Sequence, residues 1–153
     1  MLLAVIGSGE VAETLGRRWA RCGHQIVFGF DDPSSKKSRE FLARVGHGVR
    51  ALSAYDAAGA ELIVLAVHAD KATEVVASLG DREGRVLLDC TARRNSDEVW
   101  SAVERLETYV LNGRVVGSFQ TVAWQALDDV ERSDHRPSLF ICGDEAESLD
   151  VVG

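Results

Sequence analysis

Six consecutive residues near the start of the chain, Gly7-Ser8-Gly9-Glu10-Val11-Ala12, have the types and spacing to hold an anion through the backbone. A glycine at 7 permits a sharp turn. One at 9 lets the main chain approach a charged group with no side chain between them, and a small residue at 12 allows close helix–strand packing. A helix opening near residue 9 would aim unpaired N–H groups and the positive end of its dipole at whatever sits above the turn. This is the chemistry of pyrophosphate binding, and it belongs at the first strand-to-helix turn of a parallel sheet. A tight turn with no ligand is the competing explanation. Glu10 would repel a nearby anion, so its expected direction is outward, to solvent.

A second cluster follows at Phe30-Asp31-Asp32. Asp31 lies 19 residues after Ala12 (31 − 12), where an acidic side chain accepts hydrogen bonds from the ribose hydroxyls of a bound dinucleotide. That favours NAD and disfavours the 2′-phosphate of NADP. Asp32 adds to the repulsion, and Lys36, Lys37 and Arg39 are placed to offset it. Capping of the next helix is the competing role for both carboxylates.

The elements that must position these residues are legible as apolar runs. LLAVI (2–6), QIVFGF (25–30), ELIVLAV (61–67), RVLLDC (85–90), RVVGSF (114–119) and SLFICG (138–143) read as strands buried on both faces, the pattern of a parallel sheet covered by helices. Between them Val11, Leu15 and Trp19 recur at helical spacing up to Gly23. Pro33 suits the first turn of a helix carrying Phe41, Leu42 and Val45. A short strand near Val49-Arg50-Ala51 leads to a capping-box-like Ser53-Ala54-Tyr55-Asp56. Ala72, Val75, Val76 and Leu79 form a further stripe closed by Gly80. Asn95-Ser96-Asp97-Glu98 opens another helix, with Val99, Val103, Leu106 and Val110 inward. This alternation predicts a doubly wound, mostly parallel α/β sheet of the Rossmann-like type, a single domain over residues 1–153.

Composition excludes more than it proposes. A net charge of −7 argues against nucleic acid or an anionic membrane as partner. No apolar run reaches the ~18 residues of a membrane span. Cys22, Cys90 and Cys142 lack the spacing of a disulfide or zinc framework, so three reduced, mostly buried thiols and a cytoplasmic location are expected. His24, His47 and His135 have no partners at metal-ligand spacing, and no metal is expected. Trp19 belongs to core packing, whereas Trp100 and Trp124 are candidates for self-association, in a homodimer for example.

Taken together, the opening glycine turn, ARCGHQIVFG (20–29), LIVLAV (62–67), GRVLLDCT (84–91), VVGSFQT (115–121) and GDEAESLDVV (143–152) resemble the coenzyme F(420)-dependent NADP oxidoreductases, whose Rossmann domain is shared with pyrroline-5-carboxylate reductase. The resemblance implies hydride passing directly between a nicotinamide and a deazaflavin stacked on it, with no obligatory acid–base residue. It also implies NADP as cofactor. Three positions depart from the family pattern. Phe30-Asp31 stands where the family carries Ser-Arg, His68 where it carries Pro, and Gln120-Thr121 where it carries Asn-Thr. Family members continue beyond Val151-Val152-Gly153, so the chain is expected to be either naturally short or a fragment lacking part of the acceptor site.

Ligands of open α/β sheets bind outside the carboxyl ends of the strands. Val67, His68, Asp89, Cys90, Thr91, Phe119, Gln120 and Thr121 fall at such ends. His68 is a candidate to meet the nicotinamide amide, against the blander role of satisfying local backbone. Cys90 is either a reactive thiol or a buried small hydrophobe, and Asp89 is a candidate binder of loop N–H groups. Arg93 and Arg94 could meet an anionic acceptor. The cofactor-binding set is therefore Gly7, Ser8, Gly9, Glu10, Val11, Ala12, Asp31, Val67, His68 and Thr91, with Gln120 and Thr121 on the acceptor side and no assigned catalytic residue. The expected function is an NAD(P)-binding oxidoreductase passing hydride to a deazaflavin or flavin. The alternatives are a dinucleotide-sensing module without turnover and a relic that has lost the cofactor.

Overall fold

The computed structural model describes residues 1–91, 102–109, 114–128 and 138–153. Its strands are β1 (Leu2–Ile6), β2 (Gln25–Phe30), β3 (Val49–Ser53), β4 (Leu62–Leu65), β5 (Val86–Asp89), β6 (Val115–Ser118) and β7 (Ile141–Cys142). They form one sheet in the order β3-β2-β1-β4-β5-β6-β7. All neighbours are parallel except β6 and β7. The chain runs outward from β1 to β3 and then returns to β4 on the other side. The switch point therefore lies between β1 and β4, where the carboxyl ends of the strands leave a crevice.

Alternate strand residues feed two separate cores. Leu3, Val5, Ile26, Phe28, Leu62, Val64, Val86, Leu88 and Val116 pack beneath α1 (Glu10–Arg21), α2 (Lys36–Val45), α6 (Trp124–Asp128) and α7 (Ala146–Val152). Ala4, Ile6, Val27, Ile63, Leu65, Leu87 and Val115 pack beneath α3 (Ala54–Ala57), α4 (Ala72–Ser78) and α5 (Ala102–Glu107). Continuous apolar strands are the consequence of covering both faces. An ion-pair chain ties three helices of the first face together: Arg17 meets Glu13 at 3.4 Å and Asp128 at 2.5 Å, and Arg44 meets Glu13 at 3.1 Å.

The sheet class agrees with the sequence pattern, and several boundaries do not. SLFICG is not a strand buried on both faces: only Ile141–Cys142 pair, antiparallel to β6, and Leu139, Phe140 and Ile141 are exposed. An edge strand has one neighbour and no second helix layer, so apolar content alone misled there. Pro33 is not in the first turn of α2. The Asp32 carboxylate accepts from the Ser34 N–H and Oγ–H at 2.9 and 2.7 Å, closing a turn that delays the helix. Ser35 then caps it, accepting from the Ser38 N–H at 3.1 Å. Ser53 caps α3 as its pattern predicts: its Oγ accepts from the Asp56 N–H at 3.1 Å and donates to Asp56 Oδ2 at 2.6 Å. Cys90 is buried, but Cys22 and Cys142 are exposed, against the expectation of mostly buried thiols. The Asn95–Glu98 helix start, Val99, Trp100 and Val110 lie outside the described residues. Among the described residues, no helix is long and apolar enough to cross a membrane.

Candidate dinucleotide site

The turn after β1 separates what the fold needs from what it does not. Gly7 has φ +136°, and a Cβ there would lie 2.2 Å from the Ala66 carbonyl oxygen. The neighbouring Ala66 N–H donates to the Ile6 oxygen at 2.9 Å, so Gly7 is required by the close approach of the β4 segment. Gly9 is different. It caps α1 in an ordinary extended conformation, φ −85° and ψ −179°, and as a glycine brings no side chain to bond the helix end. A Cβ at Gly9 would meet no protein atom within 4 Å. The packing of the protein therefore gives no reason for glycine at 9. The first helical bond runs from Glu13 N–H to the Gly9 oxygen at 3.0 Å; the amides of Glu10, Val11 and Ala12 precede it and have no acceptor within the helix.

Ser8, Gly9 and Glu10 are exposed, Val11 packs partly on the core and Ala12 is fully buried. The outward position expected for Glu10 agrees with its exposure. Sequence reasoning missed Gly16, where a Cβ would fall 2.3 Å from Cζ of the buried Phe28. That close approach sets how tightly α1 lies on β2. A glycine in the interior of a helical stretch was the available signal.

At the end of β2 the two carboxylates divide their work. Asp32 is engaged in the turn described above. Its pKa lies below the usual carboxylate value, first because of the Ser34 side-chain hydrogen bond and then the Ser34 backbone bond, with a smaller pull from Arg39. Asp31 is exposed at the strand terminus. Lys36 pairs with Glu40 at 3.6 Å.

The other half of the crevice is formed by the ends of β4, β5 and β6. Val67 is half-buried and His68 exposed; the His68 carbonyl accepts from the Lys71 N–H at 2.9 Å, starting a 3-10 turn at Ala69–Lys71. Asp89 is fully buried. Its Oδ1 accepts from the Thr91 N–H at 2.9 Å and its Oδ2 from Gln120 Nε2 at 2.8 Å. Thr91 is also buried, and its Oγ1 has no hydrogen-bond partner among the described residues. Burial, and then the neighbouring Asp89, push the Cys90 thiol well above its ordinary pKa, so Cys90 is a core residue and not a reactive thiol.

Phe119 has φ +64°, the single described non-glycine residue at positive φ, and its ring meets Trp19 edge-on at 6.1 Å. The backbone reversal there starts the turn in which Gln120 reaches Asp89. Strain of this kind persists where the surroundings fix it, and it concentrates at binding sites.

The structure thus brings Gly7 to the β4 segment, and Gln120 to Asp89, which also holds the Thr91 N–H. Asp31 stands apart on the β2 side, as a two-lobed ligand spanning the switch point requires. Arg93 and Arg94 lie outside the described residues. Two apolar clefts, of about 320 and 290 Å³, lie over the sheet faces instead. The larger, between Trp19, Leu88 and Val151, reaches this region only at Ser118 and Phe119. Neither is the place for a pyrophosphate, which needs main-chain amides more than apolar walls. Among the described residues, no cluster of His, Cys, Asp and Glu could hold a metal ion. The bare Gly9, the helix end without a side-chain cap and the orphaned Thr91 hydroxyl all fit a nicotinamide dinucleotide.

Residues 2–93 match the family described as NADP oxidoreductase, coenzyme F(420)-dependent. The chain belongs to this family. It is 28% identical over 182 aligned positions to the F(420)-dependent NADP reductase of Methanothermobacter thermautotrophicus, covering 99% of this chain and 78% of the relative. In structure it is similar to a hypothetical protein from Sinorhizobium meliloti, with a TM-score of 0.85, 21% identity and coverage of 99% and 78%. A candidate F(420)-dependent NADP reductase from an Arthrobacter species gives a TM-score of 0.82 at 22% identity, covering 98% and 77%. At these identities the solved structures establish the fold. The family match establishes an NAD(P)-binding oxidoreductase family, as the resemblance implied.

Proposed function

We propose that this chain binds a nicotinamide dinucleotide across the β1–β4 switch point and exchanges hydride with a second ring, a deazaflavin or flavin, stacked over the ends of β4 to β6. The observation that carries the reading is Gly9: nothing in the protein occupies the space its missing side chain leaves, at a helix end with no side-chain cap. The amides of Glu10, Val11 and Ala12 hold the pyrophosphate, and Asp31 meets the adenosine ribose. Val67, His68 and Thr91 border the nicotinamide half, with Gln120 and Thr121 between it and the acceptor. When bound, the dinucleotide supplies the hydride carrier. The protein's part is to orient the ring and exclude competing groups, for which an acid–base pair is not required.

Asp31 in place of the family arginine favours NAD over NADP, because a carboxylate accepts from ribose hydroxyls and repels a 2′-phosphate. The test is calorimetric titration of NADH and NADPH, followed by turnover with a deazaflavin and a flavin. Saturable binding with hydride transfer supports the enzyme. Binding without turnover of either acceptor supports the sensing module instead, and absence of binding overturns both.

A further inference from the structure

We infer that the buried carboxylate of Asp89 fixes the Gln120 amide so that its Oε1 is presented as an acceptor to the carboxamide N–H₂ of the nicotinamide. Asp89 is then a positioning residue, and Gln120 a specificity-determining one. This rests on the dinucleotide reading above and deepens it.

The orientation of a glutamine amide follows from what surrounds it. Gln120 Nε2 lies 2.8 Å from Asp89 Oδ2 and 3.5 Å from the Asp89 carbonyl oxygen. Both are acceptors, so the nitrogen must face them and the oxygen must face away. Asp89 has no solvent exposure and is itself held by the Thr91 N–H at 2.9 Å. Gln120, by contrast, is exposed. The buried Asp89 therefore sets the polarity of an exposed amide: Oε1 accepts and cannot donate.

Placement selects the ligand group. Asp89 ends β5 and Gln120 follows β6, both in the half of the sheet that takes the nicotinamide mononucleotide when the phosphates sit on the β1 turn. The carboxamide is the group on that ring with N–H donors. The positive φ of Phe119 delivers the Gln120 turn to this point. The nicotinamide analogue with an acetyl group has the same ring and carbonyl but no N–H₂, so it tests this hydrogen bond alone.

The experiment is calorimetric titration of NAD and NADP, each against its 3-acetylpyridine analogue, into the wild-type chain, Gln120→Met and Asp89→Asn. Wild type should bind the natural cofactor about tenfold more tightly than the analogue, the size of one lost hydrogen bond that leaves an acceptor unpaired. Gln120→Met, at an exposed position, should bring that ratio close to one. Asp89→Asn should do the same, because an amide at 89 can donate to Gln120 Oε1 and release the fixed polarity. If Asp89→Asn does not fold, Gln120→Met decides. A wild-type ratio near one, or a ratio unmoved in Gln120→Met while both nucleotides bind, overturns the inference and leaves the dinucleotide reading intact. Failure of wild type to bind either natural cofactor overturns that reading and the inference with it.

Discussion

Two glycines in one turn differ in what surrounds them, and the distinction makes each testable. Gly7 serves the fold: Gly7→Ala places a methyl against the Ala66 carbonyl at a positive φ and should cost at least about 2 kcal/mol of stability, read as a lower midpoint in urea. The role proposed for Asp31 is selectivity. Asp31→Arg should raise the NADP-to-NAD affinity ratio by about tenfold or more, the size of one added charge-assisted hydrogen bond to the 2′-phosphate. Paired fluorescence titrations measure it, and an unmoved ratio would place Asp31 away from the ribose. The turn at Gly7 was legible because its role follows from residue type at fixed spacing. Asp89 as the partner of Gln120 was not, since 31 residues separate them and only the β5–β6 register brings them together.

Among the elements, α1 matters most because its first turn forms the proposed site. Replacing a helical glycine with alanine ordinarily adds about 1 kcal/mol of stability. At Gly16 the added methyl would lie 2.3 Å from the Phe28 ring, and Phe28 is fully buried with Phe41 against it at 4.9 Å. Overpacking of about 1–3 kcal/mol wins, so Gly16→Ala should lower the melting temperature and weaken nucleotide binding together.

At the far edge α7 is tied down by Arg114, whose Nε donates to Glu145 Oε2 at 2.8 Å and whose Nη2 reaches Glu147 at 3.3 Å. The Glu145 carboxyl lies below its ordinary 4.5, first through the Ser148 hydroxyl and then through Arg114. A depressed folded-state pKa gives a contribution that is full above the unfolded value and fades as pH falls through the folded one. Amide exchange in α7 should therefore quicken relative to the rest of the chain below about pH 4.5, and Glu145→Gln should flatten that dependence. Boundaries such as the late start of α2 escaped the sequence pattern because a side-chain turn at Asp32, not periodicity, decides them.

For the molecule as a whole, the doubly wound sheet was readable from alternating apolar runs because both faces are covered, and that same logic failed at the exposed β7. The proposed ligand would lie across the switch point, from the β2 end toward the β6 end. The most direct test of that arrangement is calorimetric titration of NADH and NADPH into wild type and Gly9→Val, with melting temperatures recorded alongside. One saturable site is expected in wild type and its loss in Gly9→Val. Gly9→Val should still melt cooperatively as a folded chain, since space around Gly9 is open and valine for glycine at a helix cap costs only about 1 kcal/mol. Undiminished binding in Gly9→Val would contradict the proposed site, as would a wild-type chain that binds neither nucleotide.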